Sequence, residues 1–255
     1  IMNRIVFFIP LFNPGHILVD QYKSILESGY SIVFYKNSKI NESHFNELKL
    51  FKNCFFFGNE TNDGISISLN NAFTNFKEYD FLFFLDQDTI FNICGFNNYF
   101  LNNINLLSKQ SLIYFFNSVE IPFLITNSGS LFNLKKFDLT INEKYYVEFI
   151  DYWIYLKLLS KNNKVLKIPT NFIDHKSNQD DVKSFNGFKF KNYSQTRIKE
   201  IIMNGFSLIK EVIFEMKFYA FSYKLKVIKS LIFEISISIF NFLFHIFLIS
   251  KTKVD

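Results

Sequence analysis

The stretch "FLFFLDQDTI", residues 81–90, sends five apolar residues straight into Asp86 and Asp88, two positions apart, with Thr89 behind them. A short apolar run closed by polar residues reads as a buried strand. In extended backbone, residues two apart share a face, so both carboxylates address one ligand if that geometry carries through the turn. Two hard oxygen donors at this spacing suit Mg²⁺ or Mn²⁺ holding a phosphorylated substrate. A solvated turn or a helix cap accounts for the same pair.

Working outward, similar apolar runs at 4–9, 31–35, 54–57 and 112–116 alternate with longer, more polar segments at 16–28, 41–52, 65–78 and 96–108. Strand followed by helix, repeated, predicts an α/β fold on a parallel sheet with right-handed crossovers. Ligands bind such sheets outside the carboxyl ends of the strands. The residues to inspect are therefore "NPGH", "KNSK", "GNETNDG" and "DQDT", which follow the successive runs. Past 120, "IPFLITNSGSLFNL" reads as extended chain with a tight turn at 127–129. "VEFIDYWIYLKLLSKNN" has helical spacing, "KVLKIP" reads as a strand stopped by Pro169, and "NFIDHKSNQDD" is a polar loop.

The 255 residues suffice for one main domain with an appendage. At 49% apolar and 20% charged, wholesale disorder is excluded. The 36 Phe and abundant Asn, Lys and Ile fit the codon bias of an AT-rich bacterial genome, which weakens arguments from aromatic residues alone. The net charge of +5 favours anionic partners, yet no compact Lys/Arg patch supports nucleic-acid binding. Cys54 and Cys94 stand alone and suggest neither a disulfide framework nor a metal site, which fits a reducing, cytoplasmic setting. The start "IMNRIVFFIPLFNP" reads as a first strand and not as a signal peptide, because Pro10, Asn13 and Pro14 follow too soon.

The last part changes character. Lys224, Lys226 and Lys229 precede "SLIFEISISIFNFLFHIFLIS" at 230–250, with Lys251 and Lys253 behind it. Its length equals that of a bilayer span, but Glu234, Ser238, Asn241 and His245 fall at helical spacing and draw a polar stripe. We expect a helix lying in an anionic membrane interface. The alternatives are a helix packed on the protein, or on a second copy as a homodimer, and a true span.

Two families compete for the aspartates. "FLFFLDQDT" resembles the opening motif of haloacid-dehalogenase-type phosphatases, which implies Asp86 as nucleophile and Asp88 as general acid/base, with Asp180 and Asp181 standing in for a later acidic pair. In that family the motif normally opens the fold; here some 80 residues of alternating elements precede it. The ordered set "NRIVFFIPLFNP", "GYSIVFYKNSK", "GNETNDGISISLNNAF", "YDFLFFLDQDT", "ITNSGSLFNLKKF", "FIDYWIYLKLLSKNNKVLKIP" and "IDH" resembles family 2 glycosyltransferases with the GT-A fold. Bacterial rhamnosyltransferases are the nearest type, through "LDQD" and "NSGSL". The likeness covers about residues 3–200. It implies a GT-A domain over 1–190, a Rossmann-like, mostly parallel sheet flanked by helices. Residues 191–255 would then be C-terminal amphipathic, membrane-associating helices.

The resemblance also assigns residues. It implies Asp88 as ligand of a Mg²⁺ or Mn²⁺ ion that bridges the donor diphosphate, with Asp86 assisting and His175 completing the metal site. It implies Asp151 as general base on the acceptor hydroxyl, with Glu148, Ser128 and Gly129 seating the acceptor. Pro10, Asn13, Asn37, Ser38, Asn62, Gly64, Asn70, Asp86 and Gln87 would line the nucleotide-sugar pocket. The activity implied is inverting transfer of a sugar, rhamnose from its dTDP-activated form, to a saccharide or lipid-linked acceptor in surface polysaccharide assembly at the inner face of the cytoplasmic membrane. The chain departs from the pattern at Lys36, where the family carries a nucleobase-contacting Asp, at Trp153, where an acid is expected, and at Lys157, where the family has Arg. These departures admit a different donor, or a non-catalytic partner that kept the fold. Arg197 matches an Arg preceding the family's C-terminal helices, near the donor phosphates, but a plain solvated helix position is the preferred reading of it.

Overall fold

The computed structural model describes residues 5–14, 18–116, 128–175, 182–185, 188–191, 195–217 and 221–251. The chain divides into two compact units, Ile1–Lys176 and Ser177–Asp255.

In the first unit the apolar runs become β1 (Ile5–Leu11), β2 (Ser31–Lys36), β3 (Cys54–Phe57), β4 (Phe81–Phe84) and β6 (Leu112–Phe116). Short strands β5 (Thr89–Phe91), β7 (Ser130–Asn133), β8 (Val165–Pro169) and β9 (Ile173–His175) complete the described set in this unit. Helices α1 (Val19–Glu27), α2 (Gly64–Asn75), α3 (Ile93–Leu107) and α4 (Ile150–Ser160) connect them. The main sheet has the order β3-β2-β1-β4-β7-β6-β8. Neighbours are parallel except at β7, which runs antiparallel to both β4 and β6.

Every residue of β1, β4, β6 and β7 is buried, as expected of central strands covered on both faces. On one face Phe7, Phe83, Phe91, Phe96, Phe115 and Phe172 form a continuous aromatic cluster. Its ring centroids lie 5.2 Å apart at Phe7–Phe83 and at Phe83–Phe96, and 5.1 Å apart at Phe115–Phe172. Each such side chain contributes about 1.5–3 kcal/mol by leaving water. The core thus fixes the strand ends that carry the polar loops.

The segment at 41–52, expected as a helix, forms two 3₁₀ turns, Glu42–Phe45 and Leu48–Leu50. Among its described side chains only Phe45 and Leu48 are buried, three residues apart, and a period of three places that pair on one face without an α-helix. Asn41 then caps the first turn by accepting from the Ser43 amide.

The second unit holds a hairpin, β10 (Val182–Phe185) with β11 (Phe188–Lys191), followed by α5 (Gln195–Phe214) and α6 (Phe221–Lys251). The two helices pack on each other. Val227, Leu231, Ile235 and Ser238 of α6 are buried at a spacing of four, four and three. Ile232, Phe233, Ile237, Phe240 and Leu243 are exposed, so much of the apolar surface of α6 faces outward while Ser238 of the polar stripe faces inward. Among the described residues, no helix is long and apolar enough to cross a membrane.

Candidate functional site

The carboxyl ends of β1, β2 and β4 lie side by side, and the polar loops converge there. The extended ladder of β4 stops at Phe84, and the Thr89 amide donates to the Asp86 carbonyl at 3.1 Å. Asp86 and Asp88 therefore sit in a β-turn, not on the continuing strand that would place them on one face. Both acids lie within electrostatic reach of Tyr22: burial, then Asp88, then Asp86 push its phenol upward.

Several hydrogen bonds around the two acids pin the turn. The Gln87 amide spans Phe12, accepting from its N–H at 2.9 Å and donating to its carbonyl at 3.1 Å. Tyr22 Oη donates to the Gln87 carbonyl at 3.1 Å. Ser128 Oγ accepts from the Asp86 amide at 3.1 Å and lies 2.6 Å from Thr89 Oγ1, both hydroxyls being buried. Gln21 donates to the Thr89 carbonyl and accepts from the Phe91 amide. Gly129 has φ +92°, and a Cβ there would collide with the Phe115 carbonyl oxygen, so only glycine fits the turn that presents Ser128. Asn127, the start of the expected tight turn, lies outside the described residues.

β5 pairs antiparallel with β9, and Thr89 stands opposite His175. This brings the His175 backbone beside the acidic turn; its side chain lies outside the described residues, as do Asp180 and Asp181. Among the described residues no group of three His, Cys, Asp or Glu is arranged to hold a metal ion.

Around β1 and β2, the Asn37 amide donates to the Leu11 carbonyl at 2.9 Å, and the Asn13 amide donates to Ser38 Oγ at 2.7 Å. Pro10 lies within β1 opposite Tyr35. Asn37 is buried, and among the described residues its Oδ1 has no hydrogen-bond partner. Lys36 pairs with Glu60 at 3.2 Å. Glu60 adopts φ +61°, and its amide donates to the Lys36 carbonyl at 3.1 Å. A carboxylate thus stands next to the strand end where the sequence has a lysine, delivered from the following loop.

The third wall is the start of α4. Phe149 takes a left-handed φ of +66° and turns the chain into the helix, so Asp151 falls in the first turn. Its carboxyl accepts from the Tyr152 amide at 2.8 Å. Burial pushes the Asp151 carboxyl up to about 8; the Tyr152 amide opposes this, while Glu148 and Asp86 push it further upward. Asp151, Glu148 and Asp86 are therefore within electrostatic reach of one another. Trp153, where an acid was expected, is buried against Tyr145 at 6.0 Å and belongs to the core.

Three residues expected at the nucleotide pocket, Asn62, Gly64 and Asn70, tie this wall to α2 and the loop before it. Asn70 clasps Ile141, donating to its carbonyl and accepting from its amide, both at 2.9 Å. The Asn62 carbonyl accepts from Tyr146 Oη. Gly64 has φ +74°, and a Cβ there would lie 2.5 Å from the Tyr146 ring, so the glycine permits the close approach. The Tyr146 carbonyl accepts from the Ile65 amide at 2.8 Å.

Sequence reasoning missed Gln21, Tyr22 and Glu60. Glu60 was visible within "GNETNDG", but its pairing with Lys36 is set by the loop conformation. Tyr22 and Gln21 carry no local signal, since only the sheet order brings α1 against the turn.

No family model matches the chain, and no curated protein matches it. Solved structures do. S. aureus TarS aligns with a TM-score of 0.59 at 12% identity, over 90% of this chain and 43% of that one. TarS 1–349 in complex with UDP-GlcNAc aligns with a TM-score of 0.56 at 13% identity, over 91% and 72%. The same portion with UDP gives 0.55 at 12% identity, over 90% and 70%. The chain thus spans less than half the length of the longer TarS structure. At such identity the likeness speaks for the fold: the chain has the GT-A fold, a mixed, mostly parallel sheet flanked by helices, followed by C-terminal helices.

Proposed function

We propose that the protein is an inverting glycosyltransferase that moves a sugar from a nucleotide-diphosphate donor to a hydroxyl of a saccharide or lipid-linked acceptor. The observation that carries this reading is the desolvated Asp151 carboxyl, pushed up to about 8 beside Glu148 and within electrostatic reach of Asp86, at the carboxyl end of a GT-A sheet. A base titrating near the working pH has both the proton affinity and the accessible charge state for general-base catalysis. Asp151 takes the proton from the acceptor hydroxyl as its oxygen bonds to the anomeric carbon. The bond from that carbon to the diphosphate oxygen breaks on the opposite face, which inverts the centre.

Asp86 and Asp88, two hard carboxylate donors in one turn, would hold a divalent cation, Mg²⁺ or Mn²⁺. Bound there, such an ion neutralises charge developing on the leaving diphosphate. Glu60 supplies, from the neighbouring loop, a carboxylate beside the strand end where Lys36 replaces the family's Asp. "LDQD" and "NSGSL" support rhamnose from its dTDP form as the donor and surface polysaccharide assembly as the setting. Exposed Phe206 and Phe214 of α5 and Phe233 and Phe240 of α6, with Lys217, Lys226 and Lys229 also exposed, support peripheral binding of the second unit to an anionic membrane at its cytoplasmic face.

The test incubates the purified protein with dTDP-rhamnose, UDP-GlcNAc and other nucleotide sugars, with Mg²⁺ or Mn²⁺, and follows nucleotide release. Release that needs metal and acceptor is expected; neither release nor binding with any donor would refute the reading. Flotation with vesicles containing an anionic lipid tests the membrane assignment. A protein that stays in solution as a dimer would replace it with self-association through the helices.

A further inference from the structure

The first unit contains a cavity of about 330 Å³ that none of the site residues above lines. It lies between α3 and the connection from β8 to β9, with Gly95, Asn98, Tyr99, Asn102, Asn171 and Phe172 among its walls. The volume falls at the low end of ligand-sized pockets, about 300–1,000 Å³.

The lining contains no charged side chain, so it offers nothing to select a phosphate or a metal ion. It offers amides, each with two donors and an acceptor. Asn98 and Asn102 are four apart on α3 and share one face. Asn98, Asn102 and Asn171 are exposed, and among the described residues their amides make no hydrogen bond to the protein, whereas Asn103 donates to the Tyr99 carbonyl at 2.8 Å. Tyr99 is half-buried, its ring held edge-on to Phe115 at 5.8 Å and against Phe172 at 6.1 Å. Gly95 lets the helix approach, since a Cβ there would lie 3.0 Å from Phe172 Cβ. A fixed aromatic ring beside neutral, solvent-facing amides is the chemistry that recognises a ligand with apolar C–H faces and many hydroxyls.

The geometry points to a saccharide-binding subsite in this cavity, selecting neutral sugar rings. Its position gives it a use. The β5–β9 ribbon joins the two sites: Thr89 stands opposite His175 at one end, and Phe91 opposite Ile173 at the other, next to Phe172 of the cavity. Two residues of strand separate these ends by roughly 7 Å. A sugar held there, at the end of the ribbon away from the acidic turn, would be the far part of an extended acceptor. This last step rests on the glycosyltransferase reading, whereas saccharide binding itself does not.

Titration with neutral oligosaccharides, namely maltotriose, chitotriose and a rhamnose disaccharide, followed by saturation-transfer NMR in the absence of nucleotide, tests the subsite. At least one is expected to bind, and Asn98→Ala combined with Asn102→Ala is expected to weaken it tenfold or more. The thermal shift caused by nucleotide plus Mg²⁺ should stay unchanged in that variant, which also shows that it is folded. A protein that binds none of the three sugars, or a double variant that binds as wild type does, overturns the subsite. Saccharide binding without any nucleotide-sugar binding would leave the subsite standing and refute the glycosyltransferase reading instead.

Discussion

The acidic turn at Asp86–Asp88 and the start of α4 at Asp151 both offer carboxylates to the same space, but they are built by opposite means. The turn is held through its backbone and its middle residue: Gln87 spans Phe12, Ser128 takes the Asp86 amide, and Tyr22 takes the Gln87 carbonyl. Asp151 is held by a left-handed turn at Phe149 and by a loop clasped to α2, and its character comes from desolvation. Under the proposed function, one arrangement would present charge to a cation, and the other would supply a proton affinity. A transferase needs both, one for the leaving diphosphate and one for the attacking hydroxyl.

The largest expected effect separates the two directly. Asp151→Asn keeps shape and removes the base, so transfer should fall by about 10²–10⁴-fold while donor binding is retained. Rates of acceptor-dependent nucleotide release, set beside calorimetric donor affinity, check this, and loss of donor binding would sink the assigned role. Gly129→Ala should next cost about 3 kcal/mol or more, since the new Cβ meets the Phe115 carbonyl oxygen in a left-handed residue. That is a fall of roughly 6–12 °C in the thermal midpoint. Asp88→Asn should weaken metal-dependent nucleotide binding by about 10–100-fold and leave the melting temperature without ligand near the wild-type value. Ser128→Ala removes the acceptor of the Asp86 amide and should cost about 1–2 kcal/mol of stability, with a smaller loss in metal-dependent binding.

The proton on Asp151 gives a further contrast in pH. The folded state holds this proton up to about pH 8, whereas an unperturbed carboxyl gives it up near 3.8. Its stabilising contribution is therefore complete below that lower value and is lost as pH rises through 8. Without divalent metal, wild type should lose melting temperature relative to Asp151→Asn between pH 6 and 9, by at least about 1 kcal/mol or roughly 2–4 °C. Transfer runs the other way: kcat/KM should rise with pH as Asp151 becomes the free base. Neutralising Asp86 and Asp88 with Mg²⁺ should move both transitions to lower pH.

The same contrast explains what the sequence reveals. Strands β1, β2, β4 and β6 are legible because burial on both faces demands unbroken apolar runs, and "DQDT" is legible because charge ends one of them. Asp151 is reachable only through the resemblance, since an acid in the first turn of a helix is ordinary in sequence. The antiparallel insertion of β7 between β4 and β6 is hidden, because four residues after a glycine do not declare their partners. So is the use of Gln87, Asn70 and Gly64, whose contacts join residues about 70 to 80 positions apart in chain order. Lys36 reads as a lost nucleobase contact in sequence, and the fold returns a carboxylate to it from Glu60.

The central claim is that this end of the sheet binds a nucleotide sugar through the acidic turn. Thermal shift of the purified protein with dTDP-rhamnose, UDP-GlcNAc, dTDP and UDP, with and without Mg²⁺, tests it most directly. The account predicts a metal-dependent rise in melting temperature for at least one of these that Asp88→Asn abolishes and Asp151→Asn keeps; no rise with any of them, or one that Asp88→Asn leaves intact, would contradict it.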